Sequence, residues 1–527
     1  MNGDIPLKST SFYKSLVTDY LNQNEVLSSF TSGFPALDNF ERSIENKFMP
    51  PAHRAVLSSV LTEQYKGLAV NTKVSANINL LKDSRTFTVC TGHQLNVFTG
   101  PLYFLIKIAQ TISLARSLKT KYPGYNFVPV YWMATEDHDL EEINHFHLFG
   151  SKKEWSTSQT GAVGRMYTSG LEKLAEHTSQ LFQRSPEALS LLEEIKASYV
   201  SAKTLSQATR ALVHTLFKGE ELVILDADSP KLKTLFAPLM ERELADGIVY
   251  ERLNQTNELL VSKGYHVQVN PREINLFYLT EGLRTRIVKD GIRFRTNDDS
   301  ATWSESELMA ELHRHPERFS PNAAFRPVYQ ELILPNIANV GGPGEVSYWL
   351  QLKNLFDVCK VDFPHLVMRN SYSFISEKSL NTVTEFHLEF RDLLQRTEDL
   401  MKQATLSSAD FSLESELAEL KKLFTIVSNK VELIDPNLLG RAHSVLSSAE
   451  KQLSQLESKV VKSIKTQQET GLNRLKKVQD QVFPNGALAE RSINFLELLN
   501  YMSWKELKEI LLENDVALDA TLKVIRY

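Results

Sequence analysis

The chain has 527 residues, more than a single hydrophobic core usually supports, so we expect two or three structural units. Hydrophobic residues make up 42% of the sequence, as in ordinary globular proteins, and a formal net charge of −5 disfavours a nucleic-acid partner, which would need excess lysine and arginine. The two cysteines, Cys90 and Cys359, are too few for a disulfide framework and are typical of buried core positions. Because neither a long apolar run nor a signal-peptide pattern is present, we expect a cytoplasmic protein without a membrane span.

The first half of the chain predicts a βαβ unit. Residues 85–90 are rich in β-branched side chains and are followed by Thr91 and Gly92, a pattern typical of a buried strand that ends in a tight turn. Pro101 opens a run of apolar residues at helical spacing, as expected for a proline at the first position of a helix. Residues 127–133 are apolar on both alternating faces, which indicates a parallel strand covered by helices on each side.

Later segments extend this unit. Residues 222–225 and 364–368 predict two more strands, and helices alternate between the strands. The segments between them are predicted as two mainly helical regions and one region of short strands, at residues 165–215, 230–265 and 266–295. We therefore expect an α/β core into which residues of about 150–330 are inserted as lobes.

From about residue 375 the sequence predicts long, charged helices with heptad repeats. The repeating apolar positions are Val383, Phe386, Phe390, Leu393 and Leu400, then Leu413, Leu417, Leu420, Phe424, Val427, Val431 and Ile434, then Leu446, Ala449, Leu453, Leu456 and Val460. Three helices should pack lengthwise over residues 375–482 as a coiled-coil arm of roughly 50 Å, for about 35 residues at 1.5 Å rise each. The arm either dimerises or forms a hairpin within one chain. Residues 483–527 are expected to be a helical tail that returns to the core.

The first candidate site follows the strand at residues 85–90. It comprises Thr91, Gly92, His93 and Gln94, with Asn96, Thr99 and Gly100 shortly after them. Ligands of open parallel sheets bind beyond the carboxyl ends of the strands, where backbone N–H groups at a helix start favour phosphate oxygens. His93 would donate a hydrogen bond to charge that develops on a transferring phosphoryl or nucleotidyl group. Alternatively, the glycines serve a turn and His93 caps the helix, because the spacing fits no standard glycine motif.

The second candidate site is a cluster of acidic and imidazole side chains after the strand at residues 127–133. Its members are Glu136, Asp137, His138, Asp139, Glu141, Glu142, His145 and His147. Burial and mutual repulsion perturb pKa values, so Asp137, His138 or Asp139 is a candidate base that takes a proton from a reacting ammonium group. The cluster could instead ligate zinc or another divalent metal. Glu141 and Glu142 also fit a solvated first helical turn.

A third candidate site combines an arginine with a glycine-rich segment. Arg326 offers a planar fork for a carboxylate or a phosphate. Gly342 and Gly344 would let the backbone approach a ligand closely, and Glu345 should begin a helix. The alternative is a turn between helices that carries a surface arginine.

Four long blocks of the sequence resemble the cysteine-adding enzymes of bacillithiol biosynthesis. The blocks are TGHQLNVFTGPLY, VPVYWMATEDHDLEEINH, SPNAAFRPVYQELILPNIANVGGPGEVSYW and FPNGALAERSIN. The resemblance implies a Rossmann-type core over residues 1–374, similar to class I aminoacyl-tRNA synthetases and related nucleotidyltransferases. It also implies connecting-peptide insertions, a coiled-coil extension and a homodimer.

The implied reaction adds L-cysteine to the amino group of glucosaminyl malate in the last step of bacillithiol biosynthesis. ATP would activate the carboxyl group of cysteine, and Mg²⁺ could accompany the nucleotide. The implied catalytic residues, which match the family's blocks, are His93, Gln94, Asp137, His138 and Asp139. The implied binding residues are Thr91, Gly92, Asn96, Thr99, Gly100, Arg326, Gly342, Gly344 and Glu345, with Arg491 as a further anion-binding candidate that could also be a surface arginine.

Two mechanisms and two other functional classes stay open. The sequence has no second histidine after His93-Gln94 and no lysine-rich KMSKS-like loop, so activation could pass through an adenylate or an acyl phosphate. A metal-dependent hydrolase would use the Asp137–His147 cluster and would lose activity on chelation. A non-catalytic coiled-coil scaffold would tolerate the loss of Asp137 and His138.

Overall fold

The computed structural model describes residues 4–10, 12–69, 71–182, 185–408, 413–513, 518 and 520–527. The chain folds as two compact units. The larger one, which we call the α/β unit, contains residues 4–371 and 490–523. The smaller one, which we call the helical unit, contains residues 372–489 and 524–527.

The helices and strands have the following bounds. The α-helices are α1 Ser15–Leu21, α2 Phe40–Asn46, α3 Pro51–Gln64, α4 Thr72–Leu80, α5 Tyr103–Lys121, α6 Leu140–Ile143, α7 Leu171–Ser179, α8 Pro186–Val200, α9 Leu205–Leu216, α10 Pro230–Asp246, α11 Ile248–Ser262, α12 Glu305–Arg314, α13 Arg326–Ile333, α14 Pro343–Trp349, α15 Lys353–Cys359, α16 Glu377–Thr384, α17 Thr397–Ser408, α18 Glu414–Ile434, α19 Leu439–Gln467, α20 Glu469–Val482 and α21 Trp504–Leu512. The strands are β1 Ile5–Pro6, β2 Thr86–His93, β3 Asn126–Met133, β4 His145–Leu148, β5 Ser151–Glu154, β6 Val223–Asp226, β7 Leu276–Thr280, β8 Leu283–Asp290, β9 Arg293–Thr296, β10 Thr302–Ser304, β11 Phe319–Pro321, β12 Asn336–Gly341, β13 His365–Met368, β14 Ser371–Ile375 and β15 Thr521–Arg526.

A five-stranded parallel sheet lies at the centre of the α/β unit, in the order β13-β12-β2-β3-β6. Counted along the chain, this is the 3-2-1-4-5 order of Rossmann-type folds, and it reverses between β2 and β12. The strands are apolar on both faces, as expected for a sheet covered by helices on each side; Phe40, Phe87 and Val340 belong to one cluster of its core. The predicted α/β class and its strands are confirmed.

Two predicted turns are parts of this sheet. β2 continues to His93, so Thr91 and Gly92 pair with β3 and do not form a tight turn. The segment expected as a ligand loop begins inside β12, whose apolar pattern is broken by two buried asparagines, Asn336 and Asn339. Their side chains are satisfied inside the protein, because Thr88 donates to Asn336 Oδ1 at 3.1 Å and Gln330 donates to Asn339 Oδ1 at 3.1 Å.

Between β3 and β12 the chain adds helices and a second sheet. The helices α7 to α11 confirm the predicted helical regions. The second sheet has the order β10-β9-β8-β7-β11 and is antiparallel, which confirms the predicted region of short strands. The turn between β8 and β9 uses Gly291 at a φ of +61°, a conformation that glycine adopts without strain.

In the helical unit, α18 and α19 are antiparallel neighbours, with Lys421 Nζ 3.5 Å from Glu450 Oε1. Their heptads confirm the predicted lengthwise packing, and the 29 residues of α19 extend roughly 44 Å at 1.5 Å each. The first predicted heptad helix is wrong, since α16 ends at Thr384 and His387 has a φ of +55°. Among the described residues, no helix has the length and apolar composition that a membrane span requires.

The tail after Phe483 is not wholly helical. It contains α21 and then β15, which pairs with β1 through Leu522 opposite Ile5. β1 lies at the other end of the sequence, so no local pattern could predict this pairing.

Candidate functional site

A cleft of about 600 Å³ lies beyond the carboxyl ends of β2 and β3. Residues from α5, α13, α14, β7 and β8 form its other walls. The cleft lies where the strand order reverses, the position at which open α/β sheets bind ligands. Its charged and imidazole lining residues are His93, Lys107, Glu136, Asp137, His138, Arg284, Arg326 and Glu345.

A buried ion pair joins α5 to α14 in the wall of the cleft. Lys107 Nζ lies 2.7 Å from Glu345 Oε2 and also donates to the carbonyl of Gly92. Burial lowers the pKa of Lys107, and the Glu345 carboxylate opposes that effect. Burial raises the pKa of Glu345, but Lys107 and the N–H of Gly342 outweigh burial and hold this pKa below its ordinary value. The pair therefore stays charged and fixes α14 against β2.

His93 presents a hydrogen-bond acceptor to the cleft. Its Nδ1 lies 3.0 Å from the carbonyl oxygen of Gln94, which can only accept, so the ring proton is on Nδ1. Burial, and after it the charge of Lys107, lowers the pKa of His93 to about 3. The ring is therefore neutral near pH 7 with Nε2 unprotonated, and the expected donation to developing negative charge does not fit this tautomer.

Gln94 holds two carboxylates together at the cleft. Its Nε2 donates to Asp137 Oδ2 at 2.7 Å and to Glu142 Oε2 at 2.6 Å. Burial raises the pKa of Asp137, but its contacts with His138 and Gln94 outweigh burial and hold the pKa well below its ordinary range. Asp137 is thus too weak a base to take a proton near pH 7, and its geometry suits a positioning role.

His138 accepts a hydrogen bond from Arg284, a residue of β8. The guanidinium lies 2.9 Å from Nδ1 of His138, so Nε2 carries the ring proton. Asp137 Oδ1 lies 3.6 Å from the same nitrogen, which is beyond hydrogen-bond length. The inserted sheet therefore contributes a cation directly to the strand-end cluster.

Glu136 is the lining carboxylate whose pKa is raised. Its side chain is buried and contacts Lys233 Nζ, which also lies 3.5 Å from Asp228 Oδ1. Burial raises the pKa of Glu136, and the charge of Lys233 only partly offsets burial. Among the described carboxylates that line the cleft, Glu136 is therefore the strongest candidate for a proton acceptor.

Arg326 begins α13 and points into the cleft. It donates to Gln330 Oε1 and to the hydroxyl of Tyr348, both at 3.0 Å. A Cβ on Gly92 would lie 3.6 Å from Nη1 of Arg326, an ordinary van der Waals contact, so β2 runs directly beside the arginine. Arg326 is therefore part of the cleft, which does not support its interpretation as a surface arginine.

Thr91 and Asn96 lie outside the cleft. Thr91 Oγ1 donates to the carbonyl of Val340 at 2.8 Å and so ties β2 to β12. Asn96 Nδ2 donates to the carbonyl of Glu142 at 3.1 Å. Both side chains are buried and neither lines the cleft, so their contacts are structural.

Thr99 and Gly100 form a buried turn outside the cleft, with φ angles of +69° and +61°. Asn494 Nδ2 fastens this turn by donating to the carbonyls of Phe98 at 2.8 Å and Gly100 at 2.7 Å. A Cβ on Gly100 would lie 2.7 Å from that of Asn96, so glycine is required here. This glycine serves the turn, as the alternative interpretation held.

Four other predicted site residues also lie outside the cleft. Asp139 Oδ1 accepts from the backbone N–H of Glu142 at 3.2 Å and caps α6. Gly342 precedes α14, and its backbone N–H donates a hydrogen bond to Glu345 Oε2 at 2.8 Å. Gly344 and Arg491 are exposed, and neither contributes to the lining.

The structure does not assemble the proposed metal site. In the described ranges, no three His, Cys, Asp or Glu side chains are placed to hold a metal ion. His145 and His147 lie on β4, with rings 5.5 Å apart, whereas Asp137 and His138 line the cleft. The hydrolase alternative therefore finds no support in this geometry.

Comparison with known proteins identifies the family. Residues 2–370 match the model "Bacillithiol biosynthesis BshC, N-terminal Rossmann-like domain", and residues 373–526 match "Bacillithiol biosynthesis BshC, C-terminal coiled-coil domain". The chain belongs to the BshC family. Relatives named "Putative cysteine ligase BshC" include that of Flavobacterium johnsoniae, 39% identical over 94% of both chains, and that of Christiangramia forsetii, 37% identical over 99% of this chain and 98% of its own.

Membership of the BshC family makes this chain a ligase, which leaves the scaffold alternative without support. A crystal structure described as a "putative arginyl t-RNA synthetase" from Campylobacter jejuni covers 88% of this chain and 98% of its own, at 12% identity and a TM-score of 0.20. That score is too low to bear on the fold. The Rossmann-type assignment rests on the strand order and on the family model.

Two lining cations of this BshC chain escaped the sequence-based prediction. Lys107 is a single charge within the apolar run Leu105–Ala109 of a helix that is buried on all sides over residues 104–115, a signal that could have been found. Arg284 lies on β8 among other arginines, and nothing in its local sequence distinguishes it. Only the folding of the inserted sheet over the strand ends brings Arg284 to the cleft.

Proposed function

We propose that this chain joins L-cysteine to the amino group of glucosaminyl malate in the last step of bacillithiol biosynthesis. The names of the family and of its relatives support the amino acid and the pathway. The observation that carries the proposal is that Glu136, a carboxylate with a raised pKa, lines the same cleft as Arg284 and Arg326. Amide formation between an amine and an anionic partner needs both a proton acceptor and cationic binding groups.

ATP drives the reaction in this proposal, because a free carboxylate does not acylate an amine. A carboxylate oxygen of cysteine attacks phosphorus of ATP, and the amine of glucosaminyl malate then attacks the activated acyl carbon. The C–N bond forms as the C–O bond to the phosphoryl group breaks. Attack at the α-phosphorus yields pyrophosphate and AMP, whereas attack at the γ-phosphorus yields ADP and phosphate. Mg²⁺ would be held by phosphate oxygens and water, since the described residues offer no cluster of protein ligands.

Glu136 takes the proton that the reacting amine must lose. Lys233 keeps the carboxylate in place, and burial brings its pKa closer to the working pH. His93 Nε2 accepts a hydrogen bond from a substrate N–H, since its own proton is on Nδ1. Asp137 positions Gln94 at the edge of the cleft.

We also propose a homodimer formed through the helical unit. Several large apolar side chains of α18 and α19 are more than half exposed, among them Leu423 at 55%, Ile426 at 54% and Leu456 at 51%. A second helical surface would cover them. Light scattering should give twice the mass of 59.9 kDa, and the Leu423→Glu/Ile426→Glu variant should give the single mass. A monomeric wild type would contradict this proposal.

The test of function is thiol profiling by mass spectrometry in cells that lack this protein. We expect bacillithiol to disappear and glucosaminyl malate to accumulate. Wild type and Asp139→Asn, a variant outside the cleft that keeps the helix cap, should restore the thiol, whereas Glu136→Gln at equal expression should not. With purified enzyme, the nucleotide product decides between AMP and ADP. An unchanged thiol pool in the deletion strain would overturn the assignment.

A further inference from the structure

The buried and half-buried cations around the cleft fall into two classes. Lys107, Lys233 and Arg369 each contact a carboxylate; Arg369, for example, lies 2.6 Å from Glu490 Oε1. Arg284 and Arg326 differ, because no carboxylate oxygen of the described residues lies within 4.0 Å of either guanidinium. Both guanidiniums line the cleft, so the cleft itself holds two cations without a paired anion.

The partners of Arg326 are neutral. Gln330 and the Tyr348 hydroxyl accept its two hydrogen bonds. Glu345 acts on Arg326 from further away, but this carboxylate is already bound by Lys107 at 2.7 Å and by the N–H of Gly342 at 2.8 Å. The charge of Arg326 is therefore left for a group that enters the cleft.

Arg284 is also without a dedicated anion. It donates to His138 Nδ1 at 2.9 Å and lies 3.8 Å from the ring centre of Phe277, and its Nε is buried without a hydrogen-bond partner. The carboxylates of Glu136 and Asp137 act on it electrostatically, yet Lys233 holds the first and Gln94 the second. Nη2 of Arg284 also donates to Ser320 Oγ and to the carbonyl of Pro321, both at 3.4 Å, so its hydrogen-bond acceptors inside the protein are neutral and its charge can still pair with an anion in the cleft.

Both arginines are half-buried, so each charge is partly removed from water and gains from an anion that a ligand supplies. We propose that Arg284 and Arg326 together bind the two carboxylates of a dicarboxylate group, which in the proposed function is the malate end of glucosaminyl malate. This inference rests on the proposed function for the name of the ligand and on the two unpaired arginines for its chemistry. Arg284 belongs to the inserted sheet, so that sheet determines the specificity of the cleft.

A dicarboxylate fits the two arginines of this lining. Carboxylates match the planar fork of arginine, one to each guanidinium. Pro321 and Ala324 add apolar surface to the same lining.

The test is calorimetric binding of glucosaminyl malate to the full-length enzyme without cysteine or ATP. Arg284→Gln and Arg326→Gln should each weaken binding roughly 10- to 100-fold, the effect of losing a charged hydrogen-bonded contact. The matched control is Arg318→Gln, since Arg318 pairs with Glu311 at 2.7 Å and lies outside the cleft; it should bind as wild type does. The dimethyl ester of glucosaminyl malate, which lacks both charges, should not bind to wild type.

In the steady state, both arginine variants should raise KM for glucosaminyl malate and leave KM for cysteine unchanged. Arg284→Lys keeps the charge without the planar fork and should weaken binding severalfold, which keeps the test available if Arg284→Gln does not fold. Unchanged binding in either Gln variant, or arginine-dependent binding of pyrophosphate in place of glucosaminyl malate, would overturn the inference. If glucosaminyl malate binds in an arginine-dependent way but the enzyme consumes no cysteine, the inference about the two arginines is supported. Only the proposed ligation would then be contradicted.

Discussion

Lys107 Nζ on α5 lies 2.7 Å from Glu345 Oε2 on α14, and this ion pair joins two elements that are 238 residues apart in the sequence. The lysine side chain is 2% exposed and that of the glutamate 27%. The pair fixes α14, the helix after β12, against the end of β2. The order of the sheet reverses between β12 and β2. Both side chains line the cleft, so the pair is part of its wall.

Replacing Lys107 with Met should lower the free energy of unfolding by roughly 2–3 kcal/mol. The estimate is below the usual 3–5 kcal/mol for one lost partner of a buried pair, because water still reaches Glu345. The double variant Lys107→Met/Glu345→Gln should recover most of the loss, since it leaves no unpaired charge. Urea denaturation measures the free energy of unfolding of both variants. A double variant less stable than Lys107→Met would show that the unpaired charge of Glu345 is not the cause of the loss.

Glu136→Gln should lower kcat by roughly 10²- to 10⁴-fold, because it removes the proton acceptor. The base works in its deprotonated form, so the activity of wild type should fall as pH drops through the pKa of Glu136, which burial places above the ordinary value of 4.5. The residual activity of Glu136→Gln should lack this acidic limb. The control Asp139→Asn should keep both kcat and the pH profile of wild type, and an intact acidic limb in Glu136→Gln would assign the base elsewhere.

His93 should make stability depend on pH. Its pKa is lowered from 6.5 to about 3 in the folded protein, so the unfolded chain binds a proton first as pH falls. The stabilisation that neutral His93 provides is complete above about pH 6.5 and is lost progressively below it. Calorimetric melting at pH 7.5, 6 and 5 should show a shallower decline for His93→Gln than for wild type. The same change at His177, which is exposed on α7, should leave the decline as in wild type.

Asn494→Ala should destabilise the α/β unit by roughly 2–4 kcal/mol. The change leaves the carbonyls of Phe98 and Gly100 without their donor, and each buried unsatisfied acceptor costs about 1–3 kcal/mol. Asn500→Ala, at an exposed position of the same tail, is the matched control and should be nearly neutral. Equal urea midpoints for the two variants would show that the tail does not hold this turn.

The sequence predicted the elements with a strong periodic pattern. The uniformly apolar strand at residues 127–133 could only lie between covering helices, and the heptads of α18 and α19 define one apolar stripe on each helix. The sequence did not predict β12, because Asn336 and Asn339 break its apolar pattern. These two asparagines are tolerated only through hydrogen-bond partners on other elements. The prediction failed for the run Val383–Leu400 because spacing by threes and fours does not reveal a break in the helix.

For the candidate site, the sequence by itself predicted the two strand ends whose side chains line the cleft. Thr91 to Gln94 lie at the end of β2 and Glu136 to His138 come shortly after β3, and the ends of neighbouring parallel strands meet at one edge of the sheet. Only the tertiary structure decided which of these side chains share the cleft, since burial and partners depend on distant segments. Asp139 caps α6 and Thr91 bonds to β12, whereas Lys107 and Arg284 reach the cleft from an apolar helix and an inserted sheet. Electrostatics act through space, so the pKa differences between Glu136 and Asp137 exist only once these neighbours are assembled.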